Sequence, residues 1–341
     1  MARKVQRDSV FSDLERSSAA LSVAEIIRRS GPDIPQRTLR RWLSRWVEQG
    51  LVARKGVGRA TRYQIVATAG ADDAPSPLGF LRGLDDDLKR ELLGQIRDLW
   101  THTSTALEGN TLTLGDTHFI LQEGLTISGK SLDDHQEVIG HARAIDLLYQ
   151  CLNEPLTESI VFELHLAVQT QQVTDIDKPN GAWKVEPNGT HMVAADGRQA
   201  FIEYAAPSSV PALMAEIIDF TNAVCVDDVS AATAHEYYSK IHMGIAHVHP
   251  FWDGNGRIAR LLANIPLLKA GLPPLTIPDH KRRAYIQLLA DYQVTIGQLD
   301  ETTCVWPDES LLSDFSHFCK SCFSAIRDLV AGAFDVQKKR A

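Results

Sequence analysis

The sequence predicts a mainly α-helical protein in two parts: a small N-terminal domain ending in a hairpin, and a larger helical domain carrying a second short hairpin. Three observations lead there. The chain has 341 residues, beyond the usual length of one domain. Its net charge of −8 is split, since residues 1–66 carry 14 basic and 6 acidic side chains (net +8) and the remainder carry a net −16. Apolar residues recur at helical spacing around 35–49, 231–270 and 312–329, while the strand-like pieces are short. The expected boundaries are 1–66, a linker at 67–80 that is small, polar and Pro-containing, and 81–341.

Composition removes several classes. Hydrophobic residues at 44% and charged residues at 23% suit a globular chain, and 22 Gly with 15 Pro exclude collagen-like repeats. The N-terminus leads into no apolar signal region, and no stretch approaches the ~18 apolar residues of a membrane span. Five cysteines are too few for a disulfide scaffold. The expectation is a reduced, cytoplasmic protein without membrane contact.

In the first part, Ser22 and Glu25 form a capping box for a short helix that the turn at Ser30-Gly31-Pro32-Asp33 ends. A second helix begins near Pro35. It buries Leu39, Trp42, Leu43, Trp46 and Val47, presents Arg37, Arg40, Arg41 and Arg45 on its other face, and ends at Gly50. Residues 51–66 read as a hairpin with a basic tip at Gly56-Val57-Gly58-Arg59. This order resembles a winged helix-turn-helix, which implies DNA as a partner of residues 35–62. A solvated basic helix that meets an acidic protein is the alternative.

The decisive segment is His249-Pro250-Phe251-Trp252-Asp253-Gly254-Asn255-Gly256-Arg257-Ile258-Ala259-Arg260. It lies between a helix expected over 231–246 and another over 258–270, in which Pro266 predicts a kink. Gly254 and Gly256 let successive N–H groups turn into one concavity, and a helix N-terminus behind such a nest attracts phosphate. Arg257 and Arg260 project from the same side of the first turn and suit two-pronged phosphate contacts. Asp253 offers a hard oxygen for Mg²⁺. His249 titrates near neutrality and is the natural general base. Zinc is disfavoured for His242, His247 and His249, because no further Cys or carboxylate ligands stand at zinc-site spacing.

The loop resembles the signature of the Fic family, His-Pro-Phe-x-Asp/Asn-Gly-Asn-Gly-Arg-x-x-Arg, at every specified position. The resemblance implies an α-helical domain that transfers AMP from ATP to a Ser, Thr or Tyr hydroxyl of a protein, itself included. It implies His249 as base, Asp253 as the Mg²⁺ ligand, Gly254, Asn255 and Gly256 as the anion hole, and Arg257 and Arg260 on the outer phosphates. A branch that phosphorylates instead has Lys in place of the second loop glycine, and Gly256 argues against it.

Ser104-Thr105-Ala106-Leu107-Glu108-Gly109 resembles the family's inhibitory motif, on a helix expected near 95–110. There the resemblance implies that Ser104, Glu108 and Gly109 form a lock, with Glu108 pairing with Arg260 so that ATP binds unproductively. A plain helix end capped by Gly109 is the bland alternative. In some relatives the same glutamate orients a water that removes AMP. The resemblance also implies self-association as a homodimer, a flap spanning Gly181 to Tyr204 with Lys184 where Arg is usual, and Tyr285 and Tyr292 near the base pocket. Within the flap Ala182–Val185, Thr190–Val193 and Ala200–Ile202 read as strand-like, around a turn at Asp196-Gly197. Cys319-Lys320-Ser321-Cys322 reads as packing within one helical run. The competing function is a nucleotide-sensing, DNA-binding transcription regulator.

Overall fold

The computed structural model describes residues 76–169, 175–193 and 199–340, and, of the earlier chain, residues 10, 14, 21–30, 34–48, 52–55 and 61–65. The chain divides into two compact units, Met1–Ala74 and Pro75–Ala341. The expected turn at 31–33, the helix end at Gly50, the hairpin tip at 56–59, most of the linker and the turn at Asp196-Gly197 lie outside the described residues.

The first unit contains α1 (Val23–Ser30), α2 (Gln36–Glu48), β1 (Val52–Lys55) and β2 (Arg62–Ile65). Ser22 and Glu25 close the capping box reciprocally, at 2.7 and 3.3 Å. The strands pair antiparallel from Val52↔Ile65 to Lys55↔Arg62. Ile26, Leu39, Leu43, Trp46 and Val52 are buried together, while Arg37, Arg40 and Arg41 on α2 are exposed.

The second unit is mainly helical. Its elements are α3 (Asp86–Glu108), α4 (Leu114–Glu123), α5 (Leu132–Cys151), α6 (Glu158–Val168), β3 (Gly189–Val193), β4 (Gln199–Glu203), α7 (Val210–Ala223), α8 (Ala234–Val248), α9 (Asn255–Leu262), α10 (Ile265–Lys269), α11 (Arg282–Ile296), α12 (Ser313–Lys320) and α13 (Ser324–Arg340). β3 and β4 pair antiparallel, Gly189↔Glu203 through Val193↔Gln199. α8 is the central helix: Tyr238, Ile241, Met243, Ile245 and Val248 are wholly buried in the main core. α3 is buried at both ends. Leu88, Leu92 and Ile96 pack with Ile326 of α13, and Trp100 and Leu107 join the main core. No helix of the described residues is long and apolar enough to cross a membrane.

Three expectations need correction. The helix predicted over 258–270 is two helices. Pro266 starts α10 at its first turn, and the buried Asn264 side chain occupies the break, donating to Arg260 O and Leu275 O at 3.0 Å. The helical run around the paired cysteines is likewise broken between α12 and α13, although Cys319 and Cys322 are both buried as expected of packing. The Ala182–Val185 piece forms no strand: the flap's strand starts at Gly189, and residues 182–188 run as bends along the signature loop.

Candidate active site

α8 ends where His249 takes a left-handed backbone, φ 52° and ψ 59°, with its N–H closing on Ile245 O at 2.9 Å. A non-glycine residue in this region is uncommon and marks a local constraint. The chain leaves the helix axis there, and His249, half-buried, faces a cavity of about 830 Å³. Its Nδ1 lies 3.4 Å from Ala246 O, so Nδ1 carries the hydrogen and Nε2 is the free acceptor. Burial, and then the Lys184 ammonium, push its pKa down to about 3, so the ring is neutral at physiological pH.

Gly254, at φ 79°, caps α9 and lets the loop turn. The first N–H groups of α9 have no intrahelical acceptor and form a positive end. Asn255 braces the loop from beneath. Its Oδ1 accepts from Phe251 N at 2.9 Å and its Nδ2 donates to Phe251 O at 2.8 Å, which leaves its backbone N–H for an anion. Phe251 is fully buried and stacks on His165 at 3.7 Å.

The two arginines have different surroundings. Like Arg260, Arg257 does not line the cavity. It donates to Asp253 Oδ2 at 2.9 Å and Val168 O at 3.1 Å, and Glu137 Oε1 lies 3.6 Å away. Arg260 is 2% exposed and receives its partners from α3 and α11: Ser104 Oγ at 2.9 Å, Ser104 O at 2.9 Å, Tyr285 Oη at 3.1 Å and Glu108 Oε1 at 2.6 Å. Burial works against its charge, and the Glu108 carboxylate more than offsets it. A Cβ built on Gly256 would collide with Glu108 Oε1, so the carboxylate sits directly over the start of α9. Gly109 caps α3 at φ 108°, turning the chain away just beyond Glu108.

Asp253 also stands outside the cavity wall, 68% exposed on its side chain. Burial would raise its pKa, but Arg257 and the Gly254 N–H hold it below the usual carboxylate range. Among the described residues no cluster of three or more His, Cys, Asp or Glu surrounds it. One exposed, ionised carboxylate fits Mg²⁺, which keeps most of its shell as phosphate and water oxygens. The ion would neutralise phosphate charge.

Tyr285 lines the cavity, but its hydroxyl lies between Arg260 and His242 Nε2, 3.1 Å from each. It anchors the arginine more than it faces a base. Tyr292 is buried edge-on against His247 and is absent from the cavity wall. The α11 wall includes Ile286, Leu289, Ala290 and Gln293 as well as Arg282 and Arg283. Gln293 Nε2 donates to Ala246 O at 3.0 Å, and its Oε1 has no protein partner. Gln293, His165, Asn188 and Tyr204 were not singled out by sequence. Each is a lone polar or aromatic residue far along the chain from the signature, and only the fold brings it there.

Fold and site together define a helical protein built around a loop that opens on a helix N-terminus, with a histidine facing the cavity beside it. The Fic/DOC family pattern matches residues 155–267. A Fic-domain-containing signalling protein from Bacteroides thetaiotaomicron has 30% sequence identity, a TM-score of 0.63, and covers 75% of this chain and 93% of its own. The chain belongs to the Fic family. Protein adenylyltransferase fic-1 of Caenorhabditis briggsae is 32% identical over 196 residues, 58% of this chain and 36% of that protein. Protein adenylyltransferase Fic of Drosophila melanogaster is 32% identical over 194 residues, 54% and 35% respectively. The chain thus spans about a third of the length of these relatives.

Proposed function

We propose that the protein is an autoinhibited protein adenylyltransferase, moving AMP from ATP to a Ser, Thr or Tyr hydroxyl of a protein. The observation that carries this reading is the convergence of a neutral His249 and the α9 N-terminus on one cavity, with Glu108 held over Gly256 by Arg260. The adenylyltransferase names of the similar proteins support it. ATP lies with its base against Ile286, Leu289 and Ala290. Its phosphates meet the N–H groups of residues 254–256. Asp253 would hold Mg²⁺, which would supply charge neutralisation, and Arg260 takes the outer phosphate once Glu108 leaves.

His249 Nε2 accepts the proton of the target hydroxyl. That oxygen forms a bond to the α-phosphorus, the bond from the α-phosphorus to the bridging oxygen breaks, and pyrophosphate departs with that electron pair. The α9 N–H groups oppose the charge that gathers on the α-phosphate.

The test is incubation with α-labelled ATP and Mg²⁺. Glu108→Gly frees Arg260 from a charge-assisted bond of about 1.5–3 kcal/mol, so label transfer should rise about 10–100-fold. Adding His249→Ala should remove about 10²–10⁴ of the rate. If Glu108→Gly labels nothing, and the second change alters nothing, the reading is wrong. A second direction, AMP removal, is favoured by the Glu108 carboxylate, 38% exposed in the same cavity as His249, where it can orient water. Its signature is release of AMP from a modified target, lost in Glu108→Gly.

For the first unit we propose a winged helix-turn-helix, supported by its two helices, its hairpin and the exposed Arg37, Arg40 and Arg41. A gel shift on the flanking DNA of its own gene should weaken steeply with salt. No shift at low salt would rule DNA out and leave an acidic protein as the partner.

A further inference from the structure

Lys184 is the one lysine among the described residues that is buried, at 2% exposure, and it lies behind the candidate base. Among the described residues no carboxylate pairs with it. Its Nζ donates to Asn188 Oδ1 at 2.6 Å, and burial pushes its pKa down to about 7. A buried ammonium whose partners are one neutral acceptor and the Tyr204 ring face, 5.8 Å away, is costly to the fold, so its burial calls for a local reason.

The geometry around it supplies one. The Lys184 N–H donates to Pro250 O at 2.9 Å. Asn188, oriented by the lysine, donates Nδ2 to Phe251 O at 3.0 Å. That carbonyl already accepts from Asn255, so the backbone just after His249 is gripped from the flap side and the helix side at once. Tyr204 receives the same support, since its N–H donates to Asn188 O at 3.1 Å. Its ring lies flat on the His249 imidazole, 3.7 Å between centroids and 2° between planes. Three contacts from residues 184, 188 and 204 therefore fix the two residues after His249 and one face of its ring.

We infer that Lys184 and Asn188 are positioning residues that hold His249 in its left-handed pose with Nε2 toward the cavity. The flap segment is on this view a brace for the base as well as a wall of the site. The inference rests on His249 acting as base. Misplacing a reacting group by about 1 Å costs on the order of 10²-fold without weakening substrate binding.

The experiment uses the full chain carrying Glu108→Gly, with Lys184→Met, Asn188→Ala, the pair, and a His249→Ala control. Each single change should lower kcat by about 10–100-fold and leave KM for ATP within about twofold. The pair should lose little more than either single change, because the two act in series. Retained kcat in both singles, losses that multiply in the pair, or a KM rising in step with the loss would overturn the inference while His249→Ala stays inactive. If His249→Ala retains transfer, the function reading fails, and ¹⁵N imidazole spectra decide the bracing alone. A single Nδ1–H tautomer that becomes mixed in Lys184→Met supports it, and an unchanged spectrum overturns it. Should Lys184→Met fail to fold, Asn188→Ala at a half-buried position is judged by the same criteria.

Discussion

Glu108, Gly256 and Arg260 interlock at the scale of single atoms. Arg260 is pinned by Ser104 and Tyr285 as well as by Glu108, so removing the glutamate leaves the guanidinium held by the other two. Gly256 lacks a Cβ because one would also stand 3.0 Å from Arg260 Nη1. Gly256→Ala should therefore harm the protein even without Glu108. We expect label transfer in the Glu108→Gly background to fall about 10–100-fold, matching an overpacking cost of about 1–3 kcal/mol. Unchanged transfer would mean that Arg260 moves freely. These residues were legible in the sequence because they sit at fixed spacing within two short motifs. Gln293 and Asn188 were not. A glutamine or asparagine reads as surface until the fold shows which carbonyl it faces. Tyr292 misled for the related reason that an aromatic residue at helical spacing fits a core as well as a pocket.

At the scale of elements, the signature is a junction: α8 ends, the loop turns, and α9 begins, with Asn255 closing the turn from inside. Asn255→Ala would strip the buried Phe251 N–H of its partner and leave its carbonyl only the Asn188 donor. The loss should be about 1–3 kcal/mol of unfolding free energy, read from a urea melt. A change under about 0.5 kcal/mol would show that Asn188 and water suffice. Helix–loop–helix was readable here from periodicity and glycine placement, but boundaries were less so. Pro266 was read as a kink in one helix, whereas Asn264 provides the hydrogen bonds that let the chain break and restart. Ala182–Val185 read as strand by composition. Its backbone instead serves the loop, through Lys184 N to Pro250 O.

For the molecule as a whole, the core carries several imidazoles in neutral form. His165 and His247, at 1% and 0% exposure, are both pushed down to about 4, chiefly by burial. The unfolded chain binds protons at these sites below about pH 6.5 while the folded chain does not, so acid favours unfolding. Stability should be flat above pH 6.5 and fall as pH drops toward 4, by about 2 kcal/mol for each of the two at pH 5. Thermal melts at pH 7 and pH 5 measure this, and equal melting temperatures would contradict it. The division into a basic and an acidic part was visible in the charge count, but which helices cross the core was not, because contacts such as α3 with α13 join opposite ends of the chain.

That pairing of α3 with α13 bears on how Glu108 lets go. With Leu88, Leu92 and Ile96 packed against α13, and Trp100 and Leu107 in the main core, swinging α3 away would expose buried apolar surface at both of its ends. What remains movable is one side chain at its final residue, 38% exposed. Exposed side chains change rotamer in picoseconds to nanoseconds, far faster than turnover. On the proposed function, inhibition by Glu108 would be a rapid pre-equilibrium rather than a slow gate. It sets what fraction of molecules is competent at any instant, and progress curves started with ATP should rise without a lag.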